Sequence, residues 1–205
     1  MLFWNTYLAT RCKNPTEADM GDLCRAMKYL EGSGNWGIRY RYGVKVSIRI
    51  WRDSSHAQHV NGRGHIGILI SLGSGMVHGR SVVIKMTTLS STESEFVCMC
   101  EGTTYVIWLR SLLDRLKFSN DKRPVPRMYQ DNNSAIWWSK EDMTFARTKH
   151  LMIKKNYVKE AVDAQIMVVI PCDTSKMLAD DLTKPTQPSV SSRHMVAWGM
   201  ERIQE

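Results

Sequence analysis

Hydrophobic and polar residues alternate along the chain from residue 44. Apolar side chains occupy every second position of residues 44–50, which predicts a half-buried strand that ends around Asp53. A second alternating stretch covers residues 66–72, and a third apolar-rich stretch covers residues 76–86. Glycine-rich turns separate the three stretches. The pattern therefore predicts an antiparallel meander of three strands.

The segment before the meander, residues 1–37, has helical spacing instead. Its apolar positions form one stripe of an amphipathic helix, and they are Met20, Leu23, Cys24, Met27 and Leu30. A turn with a capping residue precedes the stripe, and several glycines follow it. We expect a peripheral helix that packs through this stripe and takes no part in chemistry.

A capping signal opens a long helix after the meander. Ser90 with Glu93, and Thr92 with Glu95, have the capping-box spacing, and the helix is predicted to run to about residue 118. Glu95 falls on the stripe that faces the sheet, whereas Glu93 lies about 200° away at about 100° per residue. Glu95 is therefore predicted to point inward. The alternative is that both glutamates only stabilise the helix N-terminus through its dipole.

Strands and helices alternate in the rest of the chain. A β-prone stretch ends at Asp131, and a small polar turn leads into an apolar helical run. A basic helix is predicted over residues 150–164, and an apolar strand buried on both faces over residues 166–170. A short helix opens near Asp180, and the tail from residue 187 is weakly patterned. The predicted order is β-β-β-α-β-α-β-α, an α/β fold.

Composition adds the expected partner and compartment. A chain of 205 residues with 43% hydrophobic content can form one main domain. The 28 Lys and Arg residues exceed the 20 Asp and Glu residues by eight, which favours an anionic partner, and nucleic acid is the natural candidate. No stretch resembles a membrane span or a signal peptide, so we expect an intracellular protein, cytoplasmic or nuclear, without membrane contact. The five cysteines lack metal-ligand spacing and are expected to be reduced thiols.

Acidic residues stand at the ends of four predicted elements. They are Asp53, Glu95, Asp131 and Asp180. If the first and fourth strands are parallel neighbours, as a helical crossover favours, their carboxyl ends meet. Four converging carboxylates repel one another unless cations bind, and Mg²⁺ or Mn²⁺ prefers oxygen ligands and suits phosphate substrates. Two such ions about 4 Å apart could clamp an in-line displacement at phosphorus.

Four strings carry a family resemblance: SSTESEF at residues 90–96, YQDNNSAI at residues 129–136, RTKH at residues 147–150 and ADDLTKP at residues 179–185. In this order they resemble the ribonuclease H region of copia-type LTR retrotransposon Pol polyproteins, over roughly residues 44–186. Residues 5–37 resemble the segment that joins the reverse transcriptase to that region. The chain departs from the family pattern at Arg52, Met152 and Asp181.

The resemblance implies a ribonuclease H-like fold. This fold has a mixed five-stranded sheet, with three antiparallel strands plus two parallel strands, flanked by helices and preceded by an N-terminal helical extension. The implied domains are a helical connection segment (residues 1–43), the ribonuclease H-like domain (residues 44–186) and a C-terminal tail (residues 187–205). The implied activity is hydrolysis of the RNA strand of RNA/DNA hybrids with two Mg²⁺ (or Mn²⁺) ions. The four acids are then the catalytic metal ligands.

The resemblance also suggests partners and contacts. Candidate contacts to the nucleic-acid backbone are Asn132, Ser134, Arg147, Lys149, His150 and Lys154. A reverse transcriptase domain of the parent polyprotein is a further expected partner, although the chain has no Tyr-x-Asp-Asp string of a polymerase site. Two alternatives stay open. One is a catalytically inactive or domesticated nucleic-acid-binding remnant, and the other is a related nuclease such as an integrase core, which uses three acids.

Overall fold

The computed structural model describes residues 1–117, 123–141 and 149–203, except for the side chains of Lys149 and His150. Within these residues the helices are α1 (Leu2–Arg11), α2 (Glu17–Gly32), α3 (Ser91–Arg115), α4 (Asn133–Trp138), α5 (Lys149–Asp163) and α6 (Pro188–Ala197). The strands are β1 (Trp36–Ile38), β2 (Arg49–Ser55), β3 (His65–Ser71), β4 (Met76–Val83), β5 (Arg127–Gln130), β6 (Val168–Pro171) and β7 (Met200–Arg202). Single 3₁₀ turns cover Thr174–Lys176 and Asp180–Leu182.

The central sheet has five strands in the order β4-β3-β2-β5-β6. Strands β2, β3 and β4 form an antiparallel meander, whereas β5 is parallel to both β2 and β6. The long helix α3 connects the meander to β5, which is the kind of crossover that parallel pairing requires. The mixed sheet, its flanking helices and the N-terminal helical extension confirm the predicted ribonuclease H-like fold class.

The hydrophobic core lies between the sheet and α3. Ile50, Ile68 and Met128 from the sheet are fully buried, as are Phe96 and Met99 of the helix. Every residue of β3 is buried because β3 has a strand on each side and packed elements on both faces. The helix begins where the capping signal indicated, since the Ser90 side chain accepts from the backbone N–H of Glu93.

Two strand predictions need correction. Strand β2 begins at Arg49 and continues through Asp53 to Ser55, so Asp53 lies inside the strand and the residues from 44 to 48 precede it. Strand β6 is not buried on both faces. Only Val169 is buried, because β6 is the edge strand of the sheet and pairs with β5 alone.

The apolar stripe of α2 does not pack as expected. Met20 and Met27 are 60% and 59% exposed, and Leu23 and Leu30 are also exposed. The helix instead docks through its other side, where Ala26 is buried and the buried Asp19 pairs with Arg11 of α1. The prediction of a packing stripe is therefore wrong, because helical periodicity identifies an apolar face without specifying what covers it.

The C-terminal tail is ordered into α6 and β7. Strand β7 pairs antiparallel with β1, so the C-terminal end of the described chain joins the segment after α2 in a small second sheet. Asp181, which departs from the family pattern, accepts hydrogen bonds from the Thr186 and Ser191 hydroxyls and lies 3.1 Å from His194 Nδ1. It thereby ties the 3₁₀ turn to α6. Across the described ranges, no helix is both long enough and apolar enough to cross a membrane.

Candidate active site

Three carboxylates meet at one end of the central sheet. Asp53 comes from β2, Asp131 follows β5 directly, and Glu95 lies in the first turns of α3. Parallel pairing of β2 with β5 brings the first two acids to the same end of the sheet. One oxygen of each carboxylate lies within 4.8 Å of the others. The structure therefore brings together three of the four predicted acids in a group that could bind a metal ion.

Glu95 is the most firmly held member of this group. Its side chain is buried, and its Oε1 accepts from the backbone N–H of Ser54 over 3.0 Å. Its Oε2 accepts from Gln130 Nε2 over 3.3 Å and lies 3.5 Å from the guanidinium of Arg52. Glu93 is also buried but turns away, since its carboxylate accepts from the backbone N–H of Leu89. The prediction that Glu95 is the inward-facing glutamate agrees with this geometry.

The fourth acid, Asp180, approaches from the 3₁₀ turn on the opposite face of the sheet from α3. The hydroxyl of Thr183, at the end of this turn, donates to Asp53 Oδ2. Lys184 Nζ lies 3.1 Å from Asp180 Oδ1 and 3.8 Å from Asp53 Oδ2. The turn can approach because residue 67 of β3 is glycine. A Cβ at Gly67 would lie 2.8 Å from atoms of Ala179, Leu182 and Thr183.

Burial, and then the repulsion between neighbouring carboxylates, raises the pKa values of the acids in the site. Burial, followed by the charge of Asp53, raises the pKa of Glu95 to about 7. Burial also raises the pKa of Asp53, against the opposing effect of Lys184. The pKa of Asp131 is raised by burial and by the charge of Asp53. Ionised carboxylates are destabilised in this site, so a bound cation that offsets their charge is favoured. A donor set made only of carboxylate oxygens fits a hard divalent ion.

The candidate nucleic-acid contacts that the structure describes lie at the start of α4 and on α5. Asn132 is the N-cap of α4, and its side chain accepts from the backbone N–H of Ala135 over 3.0 Å. Ser134 is exposed on α4, and Lys154 is half-buried on α5. Arg147 lies outside the described residues. Lys149 and His150 belong to the first turn of α5, and their side chains also lie outside the described part.

Several residues that shape the site were not predicted to belong to it. Arg52 is fully buried beneath the acids, and Thr183 and Lys184 contact Asp53 from the other side. A signal for Arg52 was present, because the alternating pattern places residue 52 on the same face as the inward Ile50. No local signal identified Gly67, since its role depends on a turn more than a hundred residues later in the chain.

Comparison with curated proteins identifies relatives. No model of a known protein family matches the chain. The chain is 28% identical over 193 residues to a retrovirus-related Pol polyprotein from transposon RE1 of Arabidopsis thaliana, covering 92% of this chain. It is 33% identical over 173 residues to the Pol polyprotein from transposon TNT 1-94 of Nicotiana tabacum, covering 84% of this chain. The chain is homologous to copia-type retrotransposon Pol polyproteins.

The homologous segment is a small part of each retrotransposon polyprotein. The chain spans 13% of the length of each of these two relatives. The comparison confirms the copia-type resemblance that the four strings indicated. Solved structures similar to this Pol-related chain include the RNase H domain of rv2228c from Mycobacterium tuberculosis, 12% identical with a TM-score of 0.46 over 75% of this chain and 99% of that chain. Another is LC11-RNase H1 in complex with an RNA/DNA hybrid, 16% identical with a TM-score of 0.44 over 67% and 94%.

Proposed function

We propose that this chain hydrolyses the RNA strand of RNA/DNA hybrids with the help of divalent metal ions. The observation that carries the proposal is the convergence of Asp53, Glu95 and Asp131, whose ligand oxygens lie within 4.8 Å of one another. Three separate elements deliver these acids to one end of the sheet. Each acid also stands where the copia-type resemblance expects a metal ligand.

The four acids divide the work of holding metal ions. Asp53, Glu95 and Asp131 would hold one Mg²⁺ or Mn²⁺ ion, and Asp180 would share a second ion with Asp53. Bound ions of this kind activate a water nucleophile and stabilise the departing oxygen of a phosphodiester. The rest of the site orients the carboxylates. Ser54 and Gln130 fix Glu95, and the Thr183 hydroxyl fixes one oxygen of Asp53.

The positive charge of the chain supports a nucleic-acid substrate. The net charge of +8 suits a polyanion, and helix α4 begins directly after the strand end that carries Asp131. We assign backbone contacts to Asn132, Ser134, Arg147, Lys149, His150 and Lys154. Contacts to the RNA 2′-hydroxyl would distinguish RNA from DNA. A reverse transcriptase domain of the parent polyprotein would supply the hybrid.

The deciding experiment is cleavage of an end-labelled RNA/DNA hybrid with Mg²⁺ and then Mn²⁺. Asp131→Asn should abolish cleavage while leaving the circular dichroism spectrum unchanged, because it removes a ligand charge without changing side-chain size. Asp163→Asn is the matched control, since Asp163 is exposed on α5 and pairs with Lys159. Cleavage by Asp131→Asn at the wild-type rate would refute the proposal. Duplex DNA ends serve as the substrate that tests an integrase-like activity.

One observation favours a second candidate, a nucleic-acid-binding remnant without catalysis. The buried guanidinium of Arg52 lies 3.5 Å from Glu95 Oε2, so a resident positive charge already faces one proposed metal ligand. A remnant would bind the hybrid without cutting it in either metal. Filter binding of the folded wild-type protein, run beside the cleavage assay, separates the two candidates.

A further inference from the structure

Lys184 places a positive charge between two acids of the site. Its Nζ atom lies 3.1 Å from Asp180 Oδ1 and 3.8 Å from Asp53 Oδ2. Its backbone N–H donates to the backbone oxygen of Asp180 over 3.1 Å, so the end of the 3₁₀ turn fixes the start of the side chain. The ammonium therefore contacts the same pair of carboxylates that a second metal ion would share.

The two positive side chains of the site differ in their freedom to move. Arg52 is completely buried, and its guanidinium is held by the backbone oxygen of Glu95 over 2.6 Å. The side chain of Lys184 is 41% exposed. Lysine carries its charge on a flexible four-carbon stem, so this ammonium can leave the carboxylates for solvent without disturbing the backbone.

We propose that the Lys184 ammonium competes with a divalent ion for the carboxylates of Asp53 and Asp180. The ammonium neutralises this pair of carboxylates, and it has to move away before an ion can bridge them. A divalent ion binds carboxylate oxygens at about 2.1 Å and would lie within a few ångströms of the ammonium, where two positive charges repel strongly. The inference rests on the metal site of the proposed function and adds a residue that controls its occupancy.

The competition gives the two ion positions different affinities. The ammonium of Lys184 contacts Asp53 and Asp180, whereas Glu95 and Asp131 take part in none of its ion pairs among the described residues. The ion held by Asp53, Glu95 and Asp131 is thus expected to bind first. The ion shared with Asp180 binds more weakly, because its binding includes the displacement of Lys184. Two groups whose binding is coupled typically change each other's affinity by about 5-fold to 150-fold, and we take this range as the expected scale for the ammonium and the ion.

The test is a calorimetric titration of the chain with Mn²⁺, without nucleic acid. Lys184→Met should tighten the weaker Mn²⁺ site by roughly fivefold or more, because the competitor is gone. Lys184→Arg keeps the charge and should bind Mn²⁺ as the wild type does. Lys176→Met is the matched control, since Lys176 is exposed in the same segment and forms no ion pair with the four acids in the described structure.

The outcomes separate this inference from the proposed function. Equal Mn²⁺ affinities for wild type and Lys184→Met would overturn the inference and leave the metal site standing. Absence of Mn²⁺ binding in both proteins would overturn the metal site and the inference together. If Lys184→Met unfolds in EDTA, its thermal unfolding is followed in rising Mn²⁺, where the inference expects a larger gain in Tm than for Lys184→Arg. An equal gain would contradict it.

Discussion

The guanidinium of Arg52 donates to the backbone oxygen of Glu95 over 2.6 Å and also lies 3.5 Å from the carboxylate of that residue. Arg52 is fully buried, and its Nη2 atom has no hydrogen-bond partner in the described structure. Arg52 and Asp53 are adjacent in the chain, yet their side chains reach the site from opposite faces of β2. A single strand thus supplies both a metal-ligand candidate and a positive charge that opposes the surrounding acids.

Loss of this guanidinium should destabilise the fold when no divalent ion is present. In EDTA we expect Arg52→Met to lose about 3 kcal/mol of unfolding free energy, because the buried acids lose their internal counter-charge. Arg49→Met, on the same strand, should change stability by less than about 1 kcal/mol, since within the described residues the Arg49 side chain donates only to the Ser47 hydroxyl. Urea denaturation measures both. Equal losses would show that Arg52 contributes no specific charge interaction.

Neutralising Glu95 should have the opposite effect on stability. The pKa of Glu95 is raised to about 7, mainly by burial, so ionised Glu95 destabilises the folded state above that pH. Glu95→Gln should therefore be more stable than wild type by about 3 kcal/mol at pH 8 in EDTA. The amide of Gln130 can turn to accommodate the change, because its Oε1 has no partner.

The pH dependence provides the control for this prediction. The advantage of Glu95→Gln should shrink as the pH falls through about 7 and vanish near pH 4, where wild-type Glu95 is protonated in both folded and unfolded states. An advantage that stays constant from pH 8 to pH 4 would assign it to packing instead of charge. Cleavage of the hybrid by Glu95→Gln should be lost at every pH.

A side chain at residue 67 should displace the turn that carries Asp180. A Cβ there would lie 2.8 Å from the Ala179 backbone oxygen and from two side-chain carbons, so the turn has to move. We expect Gly67→Ala to lose about 1–3 kcal/mol of stability and most of its cleavage activity. Gly21→Ala is the control, because nothing lies within 4 Å of its Cβ position in α2 and alanine favours helix. Wild-type cleavage by Gly67→Ala would contradict the proposed role of the turn.

Asp181 should anchor the C-terminal helix. The hydroxyls of Thr186 and Ser191 donate to it, and it lies 3.1 Å from the buried His194. Asp181→Ala leaves these groups without their acceptor and should cost about 2 kcal/mol. Limited proteolysis should then cut within α6 sooner than in wild type. Asp163→Asn, at an exposed position of α5, should leave the cleavage pattern unchanged, and a shared increase would exclude a local anchoring role.

Acid should loosen the contact between α1 and the sheet. His65 is buried against Phe3, with His59 Nε2 at 2.9 Å and Ser81 Oγ at 2.7 Å from its ring nitrogens. Burial, followed by the charge of His59, lowers the pKa of His65 to about 4. The unfolded chain therefore binds this proton first, and up to about 3 kcal/mol of stability should be lost between pH 6.5 and pH 4.

Measuring the stability of wild type and His65→Gln across pH separates the effect of His65 from the effect of the acids of the site. The stability difference between wild type and His65→Gln should change by that amount over the same pH range, because glutamine does not titrate. Titratable groups away from the His59–His65 contact contribute equally to both proteins and cancel. A pH-independent difference would show that His65 does not control the acid response.

Much of the fold was readable from local patterns. Alternation identified the three-stranded meander, the Ser90 cap located the start of α3, and a β-prone run ending in an acid located β5 and Asp131. These predictions succeeded because strand alternation, helix capping and turn chemistry depend on residues that are close in the sequence. The C-terminal helix and β7 were missed, because β7 is defined by pairing with a strand near the other end of the chain.

The sequence patterns were enough to identify the four acids that we propose as metal ligands. Asp53, Glu95, Asp131 and Asp180 were all identified from the ends of predicted elements, and the copia-type resemblance then implied that they are metal ligands. Only the tertiary structure decided what surrounds these acids. It placed Arg52 beneath Glu95, brought Lys184 between Asp53 and Asp180, and showed that Gly67 makes room for the turn. The physical reason is that charge interactions and close packing depend on distances in space, and residues far apart in sequence meet only when the sheet forms.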